Sequence, residues 1–272
     1  MEKVRKLERI VALTKILSQR PHRLFPFSYF SELFDVAKST LSEDMLVVRQ
    51  VLQKYGLGTL ETIAGASGGV RYLPSPSPSA IHELLTELAA RLSAPERIIP
   101  GGYLYMSDIL YTAHWMEKVG ELFMVQFRHL APDYIMTIET KGIPLAFMTA
   151  RAFDVPLITV RHGSRVTEGS AVSINYVSGS SRRIQTMSLP RRALPSKARI
   201  LIIDDFMKAG GTALGMVELA HEFGAEVVGT GVLVATAEPE KKLIAGYQPL
   251  LILHSVDEQV KKVDIRPALM GG

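Results

Sequence analysis

Cysteine is absent from the 272 residues. That excludes a disulfide framework, a thiolate zinc site and a cysteine nucleophile, and it makes the cytoplasm the natural home. Long apolar runs are absent as well. The longest uncharged stretch, Leu243 to Val256, falls short of the roughly 18 residues of a membrane-spanning helix. It also contains Gln248, Pro249 and His254, so no membrane partner is expected. The N-terminus, Met-Glu-Lys-Val-Arg-Lys, passes quickly into an amphipathic helix pattern and does not resemble a signal peptide. Excess basic charge is confined to one place. Residues 1–74 carry 11 Lys or Arg against 7 Asp or Glu, which accounts for the whole net charge of +4 and leaves the remainder neutral. Such an excess is ordinary for a surface, and it is also the arrangement of a polyanion binder joined to a sensor or an enzyme.

What the chain has in quantity is apolar residues, 47% of the total, enough for substantial cores in two domains. The most informative run is Arg199-Ile-Leu-Ile-Ile-Asp-Asp-Phe-Met-Lys-Ala-Gly-Gly-Thr-Ala213. Four apolar residues, Ile200 to Ile203, read as a buried parallel strand. The Gly-Gly-Thr step into Leu214, Val217, Ala220 and Phe223 reads as a helix start. A helix N-terminus exposes unpaired N–H groups, glycines let the backbone close on an anion, and Lys208 and Thr212 add a charge and a hydroxyl. That is a site for one phosphate. Asp204 and Asp205 fall at the carboxyl end of the strand, where acceptor-only carboxylates suit ribose hydroxyls, directly or through Mg²⁺.

The string Asp204-Asp205-Phe206-Met207-Lys208-Ala209-Gly210-Gly211-Thr212 resembles the PRPP-binding motif of the type I phosphoribosyltransferase family. The resemblance implies that the acidic pair holds the ribose hydroxyls and the following loop its 5-phosphate, with Phe206 placed to stack on a base or to fill core. Lys208-Ala209 stands where many enzymes of that family have Ala-Thr.

Upstream, Tyr134 to Ile138 reads as a strand, Ile143 to Phe153 as a helix and Val155 to Val160 as a second strand, one βαβ unit. Its turn carries Thr140-Lys141-Gly142, which resembles the family's pyrophosphate loop. Between Arg161 and Arg199, two strands, Val172 to Val177 and Arg183 to Leu189, flank Ser178-Gly-Ser-Ser-Arg-Arg183. From composition this reads first as a solvated surface loop, although the family has a flexible closing loop at this place. Tyr103, in Ile99-Pro-Gly-Gly-Tyr-Leu-Tyr105, is a candidate ligand cover. After the acidic motif Glu226 to Val234 reads as a buried strand, and the tail from Pro239 has no assignment.

The first 74 residues read as three helices and a hairpin. Leu7, Ile10, Val11, Thr14 and Leu17 stripe the first helix, with Lys3, Arg5, Lys6, Arg9 and Lys15 largely on the other faces. Ser28 to Phe34 is a short second helix. Thr40-Leu-Ser-Glu43 fits a capping box for a third, striped by Leu41, Met45, Val48, Leu52 and Tyr55 and stopped by Gly56. Gly58 to Ile63 and Val70 to Leu73 form the hairpin. This is a winged-helix layout, which places Lys38, Ser39, Thr40 and Ser42 at the start of a recognition helix and makes Lys3, Arg5, Arg49 and Arg71 candidate DNA contacts. A three-helix oligomerisation cap fits the same stripes. Pro74-Ser-Pro-Ser-Pro-Ser79 is the spacer between domains 1–74 and 75–272, and a helix from Ala80 to Leu92 follows it.

The expected architecture is therefore α/β, a winged helix followed by a type I phosphoribosyltransferase fold with a central parallel sheet and a flexible hairpin. Pro100-Gly-Gly-Tyr103, Thr167-Glu-Gly-Ser170 and Asp205-Phe-Met-Lys-Ala-Gly-Gly211 make the pairing similar to the purine operon repressors of Gram-positive bacteria. That resemblance implies a homodimer on double-stranded DNA upstream of purine genes, with PRPP and Mg²⁺ as inducer and no catalytic duty. It leaves open competition by guanine nucleotides, and an active purine phosphoribosyltransferase with a regulatory domain remains the alternative.

Overall fold

The structure, a computed structural model, describes residues 5–65, 68–163, 169–177 and 183–268. Lys3, Thr167, Glu168 and the hairpin tip 178–182 lie outside the described residues. The chain divides into two compact units, the first Met1–Pro78 with Arg151–Asp154, the second Ser79–Ala150 with Val155–Gly272.

In the first unit α1 (Lys6–Gln19), α2 (Phe27–Phe34) and α3 (Lys38–Lys54) precede a hairpin of β1 (Thr59–Ile63) and β2 (Gly69–Leu73). The strands are antiparallel, with Leu60 opposite Tyr72 and Glu61 opposite Arg71. Leu13, Leu17, Phe30, Leu41, Val48, Leu60 and Val70 form one core, so all three helices and the hairpin share it. This is a winged helix.

Three local expectations are corrected. The stripe expected to be buried on α1 is partly outside, with Leu7 77% and Val11 69% exposed, while Arg9, Leu13 and Leu17 are buried. Apolar residues lie on several faces of this helix; the face that carries Leu13 and Leu17 enters the shared core, and on it Arg9 Nε donates to Asp44 Oδ2 of α3 at 2.8 Å. Nor does Thr40 cap α3. The helix begins at Lys38 with Ala37 as its N-cap, and Ser42 Oγ donates to the Lys38 carbonyl inside the helix. Tyr55, the last member of the expected stripe, is exposed.

The second unit opens with α4 (Pro78–Leu92), which starts two residues earlier than expected because proline is well accommodated in a first turn. There follow β3 (Ile98–Ile99), β4 (Tyr103–Leu104), α5 (Ser107–Leu110), α6 (Ala113–Phe127), β5 (Tyr134–Ile138), α7 (Gly142–Phe153) and β6 (Leu157–Val160). A hairpin of β7 (Ala171–Val177) and β8 (Ile184–Pro190) precedes β9 (Arg199–Met207), α8 (Gly211–Glu222), β10 (Glu226–Thr236), β11 (Tyr247–Asp257) and β12 (Lys262–Pro267).

Six strands form one sheet in the order β12-β11-β10-β9-β5-β6. All neighbours are parallel except the β11–β12 edge pair. Alternation along β9 divides the core. Ile200 and Ile202 join Met136, Met187, Met216 and Leu219 on the face covered by α8 and the β7–β8 hairpin. On the other face, Leu201 and Ile203 lie beside Gly229 and Gly231, over which Phe123 and Phe127 of α6 close. The buried face of α8 is also rotated from the expected one. Met216, Leu219 and Ala220 are buried, whereas Leu214, Val217 and Phe223 are half-buried.

Chain order reverses beside β5, which is followed by β6 on one side while β9 pairs with it on the other. In an open α/β sheet the carboxyl ends of two such strands diverge to leave a crevice. The crevice therefore lies between the tips of β5 and β9.

Candidate functional site

Ile200 to Ile203 are wholly buried, which anchors β9 and fixes where its carboxyl end emerges. Asp204 is 6% exposed and Asp205 half-buried. The Asp205 N–H donates to Asp204 Oδ1 at 3.0 Å. Burial pushes the Asp204 carboxyl well above the usual carboxylate range, and the neighbouring Asp205 charge adds to this. Burial also raises Asp205, against the opposing effects of its hydrogen bond with Asp204 and of the Lys141 ammonium. The carboxylates are thus costly in isolation and favoured by a positive or hydrogen-bond-donating partner.

The turn after β5 meets this pair. Gly142 opens α7 directly against Asp204: a Cβ there would stand 2.4 Å from Thr137 Oγ1 and 3.1 Å from Asp204 Oδ1. Only glycine permits that approach. Thr140 and Lys141 are exposed beside it, and the preceding Glu139 is tied to the end of β6, its Oε1 accepting the His162 N–H at 2.8 Å.

Beyond the acidic pair, Phe206 to Ala213 with Asp204 line a small cavity of about 70 Å³. Gly210 adopts φ 85° as the N-cap of α8, a left-handed turn that delivers the chain into the helix at Gly211. Thr212 sits in the first turn, and its hydroxyl hydrogen-bonds Tyr176 of β7, whose own hydroxyl donates to Gln185 at 2.7 Å. Phe206 is half-buried and Lys208 exposed. The crevice therefore gathers Asp204, Asp205, the loop 206–212 and the turn 140–142. Tyr103 is 57% exposed on the β3–β4 hairpin and does not line the small cavity.

Sequence reasoning missed Tyr176, Thr236 and Lys242. Tyr176 lay in a hairpin read as surface, and Lys242 in a doublet with Lys241 that looks solvated. Lys242 is in fact 8% exposed, its Nζ donating to the Thr236 carbonyl at 2.7 Å and to Thr236 Oγ1 at 3.1 Å.

In the first unit, Lys38 and Ser42 line a polar cleft of about 350 Å³ together with Ser28, Thr62 and the hairpin end at Ile63, Ala64, Gly65 and Gly68. Ser39 is exposed and Thr40 half-buried. Arg49 Nη2 donates to Thr62 Oγ1 at 2.9 Å, and Arg71 Nε donates to Glu61 Oε2 at 2.5 Å. These two arginines brace the hairpin from either side. Arg5 is exposed at the N-cap of α1, where its N–H donates to Glu8 Oε2 at 3.0 Å.

Comparison with known proteins matches both units. Residues 5–74 fit the family model described as bacterial purine repressor, N-terminal, and residues 107–264 that of the phosphoribosyl transferase domain. The chain is 47% identical to the purine biosynthesis transcriptional repressor PurR of Bacillus subtilis, covering 97% of this chain and 93% of that protein. It is 38% identical to the purine biosynthesis transcriptional activator PurR of Lactococcus lactis, over 95% of this chain and 96% of that one. A xanthine phosphoribosyltransferase of Geobacillus thermodenitrificans is 34% identical over 56% of this chain and 81% of the enzyme. Among solved structures, adenine phosphoribosyltransferase from Saccharomyces cerevisiae superimposes with a TM-score of 0.54 at 19% identity, covering 61% of this chain and 98% of that one, which shows a shared fold.

Proposed function

The chain belongs to the family of bacterial purine biosynthesis transcriptional regulators, and on that premise we propose that it is a DNA-binding repressor whose second unit senses PRPP. The observation that carries this reading is the meeting of the two loops at the β5–β9 crevice, on a chain that also carries a purine repressor N-terminal domain. A diol on Asp204 and Asp205, a phosphate monoester on the loop 208–212 and a diphosphate beside Thr140, Lys141 and Gly142 use the three parts in the order in which PRPP presents its own groups.

Mg²⁺ fits this donor set as a companion of the ligand. Two adjacent carboxylates, one buried and one half-buried, suit a cation that takes its remaining ligands from water and phosphate oxygens. When bound, the ion supplies positive charge against the diphosphate. Asp204 and Asp205 would hold it or the ribose hydroxyls, and Lys141 and the N-terminus of α8 would meet the remaining negative charge.

In the repressor reading, PRPP favours a conformation that docks poorly on DNA upstream of purine genes, and the protein acts as a homodimer on paired half-sites, in the cytoplasm. The greater identity to the Bacillus repressor than to the Lactococcus activator supports repression rather than activation. Guanine nucleotides carrying a diphosphate would compete for the same crevice. The identity to a xanthine phosphoribosyltransferase favours a second reading, an active transferase under a regulatory domain.

Titration of PRPP and Mg²⁺ into protein bound to promoter DNA tests the proposal. Linkage requires DNA to weaken PRPP binding by the factor by which PRPP weakens DNA binding, and a 100-fold effect corresponds to about 2.8 kcal/mol. Equal PRPP affinity with and without DNA would defeat the sensor reading. Repeated pyrophosphate release with xanthine or another purine base would establish the transferase.

A further inference from the structure

The loop that encloses the small cavity is held from behind. The Ala209 carbonyl accepts the Leu243 N–H at 2.9 Å, and Thr236 Oγ1 stands 3.2 Å from the Lys208 carbonyl and 2.5 Å from that of Glu238. Gly210 is packed on the same segment: a Cβ there would lie 3.5 Å from Leu243 N and 3.6 Å from Ile244 Cγ1. What holds this segment is Lys242, whose buried ammonium donates to both the carbonyl and the hydroxyl of Thr236 and so folds residues 236–242 onto themselves.

In a planar trans peptide the C=O and N–H point in opposite directions. A carbonyl drawn toward the 236–243 segment therefore turns the N–H of the following residue away from it. Ala209 is held in this way by the Leu243 N–H, and Lys208 by a Thr236 hydroxyl whose single proton is shared with the Glu238 carbonyl, which orients the amides of Gly210 and Ala209 at the mouth of α8. Successive amides aimed to one side make an anion nest, and presetting them removes an ordering cost from ligand binding.

We propose that Lys242 is a positioning residue for the phosphate loop, acting through Thr236 and Leu243 to preset the amides of Ala209 and Gly210 for a phosphate monoester. This rests on the reading of the loop as a phosphate site. Lys242 has its pKa lowered by burial, a shift that the Glu238 carboxylate opposes. Its work is done at a distance from the ligand, since neither Lys242 nor Thr236 lines the cavity.

The test uses the full chain and two separate probes, ribose 5-phosphate for the loop 208–212 and inorganic pyrophosphate for the turn 140–142. Lys242→Met and Thr236→Val should each weaken ribose 5-phosphate roughly tenfold, the size of one lost charge-assisted hydrogen bond. Pyrophosphate affinity should stay within about twofold, and Thr236→Ser, which keeps the hydroxyl, should stay close to the wild type. Thermal melting and promoter binding on the same samples report folding, and Thr236→Val keeps the question open to refutation where Lys242→Met fails to fold. Wild-type affinity for ribose 5-phosphate in a folded variant overturns the proposal, and so does parallel loss of both probes. A wild-type protein that binds neither ribose 5-phosphate nor PRPP removes the phosphate-site reading itself.

Discussion

Gly142 backs onto Asp204 so closely that a methyl group there would reach within 3.1 Å of Oδ1 and within 2.4 Å of Thr137 Oγ1. The two loops, more than 60 residues apart in sequence, are thus one object. Gly142→Ala should push α7 or Asp204 out of place, at a cost of about 1–3 kcal/mol for an overpacked site. We expect PRPP affinity to fall by at least about tenfold, with promoter binding preserved. Isothermal titration beside a urea melt separates the two effects, and unaltered PRPP binding would falsify the close-packing argument.

The acidic pair makes the ligand-free protein sensitive to pH. Both carboxyls are raised above their ordinary values, so the folded state holds protons that the unfolded chain releases. The contribution of this pair to stability is therefore fully present below the ordinary carboxylate range and declines as pH rises from there through the raised values, by about 1.4 kcal/mol for each unit of displacement. Asp204→Asn should flatten that decline, raise the melting temperature of the ligand-free protein at neutral pH and abolish PRPP binding. A variant that melts no higher than the wild type at pH 8 would count against the buried-charge account.

DNA affinity should divide the basic residues of the first unit. Lys38 lines the cleft between α3 and the hairpin end, whereas Arg71 is already engaged by Glu61 across the hairpin. Lys38→Ala should weaken promoter binding and reduce the slope of log K against log salt by about 0.9, one phosphate contact. Arg71→Ala should change that slope less and the stability of the hairpin more. Anisotropy titrations over a salt series read both, and equal slopes for the two variants would move the DNA surface elsewhere.

Arg9 and Asp44 form a buried ion pair between α1 and α3, with side chains 8% and 1% exposed. Removing one partner leaves an uncompensated buried charge, so Arg9→Met should cost about 3–5 kcal/mol in a denaturant melt. The double replacement Arg9→Met with Asp44→Leu should recover most of that loss. Additive destabilisation in the double variant would show that the pair itself is not the source.

Much of the site was legible in the chain because its grammar is local. A run of four aliphatic residues bounded by turn chemistry reads as an inner strand, which the structure carries on through Asp204 and Asp205 to Met207, and a glycine able to take φ 85° is what the step into α8 requires. The turn Glu139 to Gly142 was equally readable. The α1 stripe was not, since Ile10, Val11, Leu13 and Ile16 offer more than one apolar face and nothing within the helix chooses among them. The tail after Pro239 carried no periodic signal, although Lys242 and Leu243 brace the loop and β11 and β12 complete one edge of the sheet.

By itself the sequence determined the elements that carry the chemistry: the strand that bears Asp204 and Asp205, the helix that starts at Gly211, the hairpin after α3. Backbone dihedral preference and the spacing of apolar residues act over a few positions, and they suffice for that. Only the tertiary structure decided which tips face one another. Pairing of β5 with β9 across some sixty residues, the burial of Arg9 by Asp44 and the withdrawal of Lys242 from water depend on which surfaces meet. Those contacts are selected by the packing of the whole core, in which a charged side chain enters only where a partner from elsewhere in the chain is waiting.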